Sequence, residues 1–133
     1  MKLEMIASSL FAAQKGRVLV MVEDAAFSEL LTEVLTEAGH SVQSVVDSGQ
    51  LDECLRAGRF DAAVVDFDTR NGDIATGAEK VITKSPRTMV IAILPCGATV
   101  KPDTRYHVAL PKPTRMNQLL ALVEAAQAVA RKL

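Results

Sequence analysis

Short apolar runs alternate along this chain with segments whose apolar side chains recur every three or four residues. The runs at 17–22, 60–66, 89–94 and 107–110 are rich in Val, Leu, Ile and Ala, that at 41–46 is rich in Val and Ser, and all five are predicted to be strands. Met89-Val90-Ile91-Ala92-Ile93-Leu94 has no polar position at all, the pattern of a strand covered on both faces. Phe27, Leu30, Leu31, Val34, Leu35 and Ala38 form one stripe of a helix over 26–38 that Gly39 closes. Leu51, Cys54 and Leu55 do the same over 49–57, with Ser48 as the expected cap, and a weaker helix spans 74–84. Gly77 inside that weaker helix costs about 1 kcal/mol against alanine. Residues 95–106 hold two prolines and a glycine without helical periodicity and are predicted to be a loop. Thr114 is the expected cap of a last helix carrying Met116, Leu119, Leu120, Val123 and Val129. Ahead of the first strand, Leu3, Ile6 and Leu10 give 3–14 the spacing of a short amphipathic helix.

Strands alternating with helices imply one parallel, doubly wound α/β sheet. In such sheets sites form at the carboxyl ends of strands. Three strands end in charge: the first at Glu23-Asp24, the third at Asp66, the fifth at Pro111-Lys112-Pro113. Two acidic ends and a lysine would converge at one edge, which suits a carboxylate that binds Mg²⁺ and takes up a phosphoryl group.

Composition narrows the alternatives. With 133 residues, 49% of them apolar and 4% aromatic, the chain is expected to be one domain with an aliphatic core. A net charge of -1 gives no electrostatic footprint for nucleic acid, and no run reaches the ~20 apolar residues of a membrane span. No signal peptide is evident. Cys54, on a helical face, and Cys96 are read as reduced thiols of a cytoplasmic protein. His40 and His107 have no partner at metal-ligand spacing and are read as surface or strand-edge residues.

The stretch RVLVMVEDAAFSELLTEVLTEAG at 17–39, FDAAVVD at 60–66 and LPKP at 110–113 together resemble the receiver domain of two-component response regulators. The resemblance assigns residues 17–133 to a divergent, bacterial, single-domain receiver, with 1–16 as an N-terminal helix or linker and no room for an effector domain. It implies a flavodoxin-like fold, five parallel strands in the order 2-1-3-4-5. Asp66 would accept a phosphoryl group from a histidine kinase or phosphotransfer protein, with Lys112 pairing with the phosphoryl oxygens. Mg²⁺ would be held by Glu23, Asp66 and the carbonyl of Asp68, with Asp24 or the Asp68 side chain as further candidates. A homodimer is a further expectation.

The chain also departs from that pattern. An ungapped alignment makes Val22-Glu23 the acidic pair, whereas a shift by one makes it Glu23-Asp24. Ile93-Leu94-Pro95 stands where receivers carry a Thr or Ser hydroxyl, and Ala109 stands at the aromatic switch position. The family's fourth helix is short or replaced by the loop 95–107, and its Pro and Gly after the acceptor are displaced, leaving Arg70-Asn71-Gly72. A second reading is therefore a pseudo-receiver, a protein-interaction module independent of phosphorylation. A flavin or nucleotide binder is disfavoured, because the first strand–helix turn, Glu23-Asp24-Ala25-Ala26, repels phosphate unless a cation intervenes.

Overall fold

The computed structural model describes residues 16–132; the helix expected over 3–14 lies outside them. Five strands, β1 (Arg17–Met21), β2 (Ser41–Ser44), β3 (Ala62–Asp66), β4 (Met89–Leu94) and β5 (Val108–Pro111), form one parallel sheet in the order β2-β1-β3-β4-β5. Four helices connect or follow them: α1 (Ala25–Glu37), α2 (Ser48–Ala57), α3 (Gly72–Lys84) and α4 (Met116–Lys132). This is the flavodoxin-like architecture.

Side chains alternate across the pleat, so each apolar run feeds both layers. Val18, Val20, Ala62, Val64, Ile91 and Ile93 meet Leu31 and Leu35 of α1 and Leu119, Val123 and Ala126 of α4. Leu19, Met21, Ala63, Val65 and Val90 meet Leu51 of α2 and Ile74, Ala78 and Val81 of α3. Covering both faces explains why the central strands read as continuous apolar runs. Each fully buried Val, Leu or Ile contributes roughly 1.5–3 kcal/mol of transfer free energy, and among the described residues the strands hold about half of them. Gly77 is buried on the inner face of α3, and a side chain there would meet Met21 of β1 and Leu51 of α2. Its helical cost is linked to close packing.

Helix starts are fixed by side-chain caps. Asp24 accepts from the Phe27 amide at 2.9 Å, Asp47 from Gln50 at 2.8 Å and Asn71 from Asp73 at 3.0 Å. Two expectations are corrected here. Asp47, not Ser48, caps α2, and Ser48 is the first helical residue. Thr114 does not cap α4: its Oγ1 is buried without a hydrogen-bond partner among the described residues, and the first turn hangs instead on the Arg115 carbonyl. α1 ends in a Schellman turn, with Gly39 at φ 97° donating to Thr36 and His40 to Leu35. That turn folds His40 inward at the start of the edge strand β2, which corrects the surface alternative of its surface-or-strand-edge reading: it is 3% exposed, with Nδ1 2.8 Å from Gln127 Nε2 of α4.

Between β4 and β5 there is no helix, as the loop reading expected. Residues 95–107 instead cross as an ordered strap. A turn links the Ala98 amide to the Pro95 carbonyl, Arg105 forks onto Asp103 at 2.9 and 2.8 Å, and the Tyr106 hydroxyl donates to the Lys101 carbonyl. His107 is a strand-edge residue: its amide donates to the Val90 carbonyl and its Nδ1 accepts from the Val90 amide. The Arg105 guanidinium lies beside Asp103 and holds its carboxyl down at about 2, far below the usual carboxylate range.

Candidate functional site at the carboxyl edge of the sheet

Register decides what meets at the top of the sheet. Asp66, the last residue of β3, pairs with Ile93 of β4, and the Phe67 amide carries the ladder on to the Ile93 carbonyl. Pro111 ends β5 opposite Leu94, and the Lys112 amide donates to the Leu94 carbonyl. Three adjacent strand ends thus bring together two side chains 46 positions apart in sequence. Lys112 Nζ donates to Asp66 Oδ2 at 3.1 Å.

The Asp66 carboxylate is almost enclosed, its side chain 3% exposed. Its other oxygen accepts from the Asp68 amide at 2.9 Å. Lys112 also reaches Asp68 Oδ2 at 3.2 Å, and its ammonium lies 5.3 Å from the ring centroid of Phe27, in the first turn of α1. A buried carboxylate needs such partners, because an uncompensated charge in the interior is strongly destabilising.

An open cleft of about 750 Å³ lies over this pair, lined by Glu23, Asp24, Asp66, Phe67, Asp68, Thr69, Arg70, Pro95 and Lys112. Every charged residue expected at the site therefore borders one space. Val22 does not, being 1% exposed in the core, while Glu23 and Asp24 are exposed. Asp24 has one carboxylate oxygen engaged in capping α1. Asp68, considered as a ligand, has its side chain turned to Lys112. No three His, Cys, Asp or Glu side chains gather as a metal cluster among the described residues. Yet four carboxylates border the cleft, and Mg²⁺ takes oxygen donors, keeps several waters and uses only one or two carboxylates. In the chemistry of its donors the cleft fits that ion.

Sequence reasoning did not find Phe27 under Lys112 or Arg70 on the cleft wall. Phe27 packs against the core as its helical spacing predicts, and its place in the first turn of α1 also sets it at this edge. Phe67 was also missed. It meets Tyr106 edge-on, with centroids 5.8 Å apart, and Arg105 stacks 5.1 Å over it, so the residue after Asp66 is joined directly to the strap. Pro95 on the cleft wall offers neither N–H nor hydroxyl, and Ala109 contributes no ring.

Partial burial pulls the Lys112 pKa down, but the hydrogen bonds and charges of Asp66 and then Asp68 outweigh it and hold the ammonium above its ordinary value. A pKa raised on folding contributes stability that is complete below the unfolded value, about 10.4, and fades as pH rises through the folded value. The stability difference between this chain and Lys112→Met should therefore be constant from neutral pH to about 10 and shrink above it. Urea melts across that range measure this, and a difference that grew with alkalinity would contradict the pairing.

Neither protein-family models nor curated protein sequences match the chain. Solved structures do. A CheY-like response regulator receiver domain protein from Methanospirillum hungatei JF-1 superposes with a TM-score of 0.73 at 17% identity, over 87% of this chain and 96% of that one. The receiver domain of the Francisella response regulator 1452 gives 0.72 at 17%, over 85% and 97%. NtrX from Brucella abortus gives 0.74 at 15%, over 87% of this chain but 27% of NtrX, so the likeness spans about a quarter of that protein. No helix among the described residues is long and apolar enough to cross a membrane. With its strand order, its connections and these neighbours, the chain has the fold of the response regulator receiver domains.

Proposed function

We propose that this chain is a phosphoacceptor receiver of a two-component relay, taking a phosphoryl group from a histidine kinase or phosphotransfer protein onto Asp66. The observation that carries this reading is the Lys112 Nζ–Asp66 Oδ2 contact at the floor of a cleft walled by three further carboxylates. The receiver fold of its structural neighbours supports it.

Phosphoryl transfer requires positioning and charge neutralisation more than bond chemistry from the protein. The Asp68 amide holds Asp66 Oδ1, which leaves Oδ2 as the attacking oxygen once Lys112 shifts toward the incoming phosphoryl oxygens. Lys112 starts within reach of both, because Asp68 holds its ammonium on the cleft side. Glu23, Asp66 and the carbonyl of Asp68 would hold Mg²⁺, with Asp24 available through its oxygen not engaged in capping. When bound, the ion neutralises the charge that accumulates on the transferring group.

Incubation with acetyl phosphate and MgCl₂ tests the reading. The expected result is one base-labile phosphoryl group per chain, lost when EDTA replaces MgCl₂. No mass gain under any Mg²⁺ concentration would favour the second reading, a pseudo-receiver that binds partners without chemistry. One observation speaks for that second reading: the end of β4, Ile93-Leu94-Pro95, has no hydroxyl.

A further inference from the structure

We infer that Arg70 is a second phosphoryl-binding cation of the Asp66 site, an inference that rests on the phosphoacceptor reading above. Three cationic side chains lie near the acceptor, and two are committed. Lys112 holds Asp66 and Asp68. Arg105 is forked onto Asp103 and stacked on Phe67. Arg70 alone lines the cleft while making no hydrogen bond or ion pair among the described residues.

The backbone presents it deliberately. On one side the Asn71 amide donates to Thr69 Oγ1 at 3.1 Å; on the other Asn71 caps α3 and its Nδ2 reaches the Val46 carbonyl at 3.4 Å. Arg70 therefore sits between two anchored residues at the rim, with an exposed, free side chain.

Charge supplies the reason for it. Four carboxylates, Glu23, Asp24, Asp66 and Asp68, line the cleft against Lys112 and Arg70. A phosphoryl group of about -2 on Asp66 adds roughly one negative charge to that set, while Asp68 still competes for Lys112. The end of β4 contributes no side-chain donor, since Ile93 and Leu94 are apolar, and Pro95 lacks an N–H. A guanidinium offers the missing donors as a planar fork that spans two phosphoryl oxygens.

In the transfer from acetyl phosphate, Asp66 Oδ2 forms a bond to phosphorus as the bond from phosphorus to the acetyl oxygen breaks. Acetate leaves with the electron pair. Arg70 donates to two non-bridging oxygens throughout, and no proton changes hands.

The test measures initial rates of labelling by acetyl phosphate with saturating MgCl₂ in the full chain and in Arg70→Gln, Arg70→Lys and Asp66→Asn. Arg70→Gln should slow labelling about tenfold, less than the hundredfold or more lost with an enclosed oxyanion donor, because Arg70 is solvated. Arg70→Lys should recover part of that loss, and added NaCl should narrow the gap. Labelling of Arg70→Gln as fast as the parent overturns this role and leaves Asp66 as acceptor. Absence of label in the parent overturns both. Arg70 is exposed, so the variants should melt with the parent, and Arg70→Lys carries the comparison should Arg70→Gln fold poorly.

Discussion

Asp66→Asn should abolish phosphoryl uptake while leaving the fold in place. The amide oxygen can still accept from the Asp68 amide, as Oδ1 does now, so the loop after β3 keeps its anchor. What disappears is the anionic oxygen that faces Lys112 and would attack phosphorus. Loss should be complete, because no other carboxylate in the cleft is enclosed as Asp66 is; Glu23, Asp24 and Asp68 are all exposed. Mass spectrometry after acetyl phosphate treatment reads the result directly. Label persisting on Asp66→Asn would move the acceptor elsewhere in the chain.

Lys112→Met should have the second largest effect, on stability and uptake together. Removing the ammonium leaves Asp66 buried without an ion-pair partner among the described residues, whereas Asp68 can turn to water. Losing one partner of a buried pair costs about 3–5 kcal/mol; Lys112 is 29% exposed and water screens part of the charge, so about 2 kcal/mol is expected here. MgCl₂ should then raise the melting temperature of Lys112→Met more than that of the parent, since a bound cation replaces the missing charge and stabilises by mass action. Phosphoryl uptake should fall by about a hundredfold, the scale set by losing a preorganised charge donor. Equal stabilisation of both proteins by MgCl₂ would show that the ion does not act at Asp66.

Much of the architecture was legible because a parallel sheet covered on both faces leaves long unbroken apolar runs, as at Met89–Leu94. The Asp66–Lys112 meeting was legible for a related reason: strand ends in such a sheet share one edge, however far apart they lie in the chain. What escaped depended on single backbone angles or on packing between distant segments. Asp47 rather than Ser48 caps α2, a difference of one residue in where helical geometry begins. His40 turns inward because the Schellman turn at Gly39 redirects the chain, and no period in the sequence encodes that. Tyr106 finds Phe67 across 39 positions with no pattern linking them. The N-terminal assignment over 1–16 and the homodimer concern features outside what the described fold displays.

The two outermost strands also bear on how the molecule behaves at high concentration. β2 and β5 have four residues each; β2 is the polar Ser41-Val42-Gln43-Ser44, and β5 finishes on Pro111, which has no N–H to give a newcomer. An incoming foreign strand would find a short hydrophilic rail on one flank and an interrupted one on the other. Crowded solutions of this protein should therefore resist fibre growth by lateral strand addition.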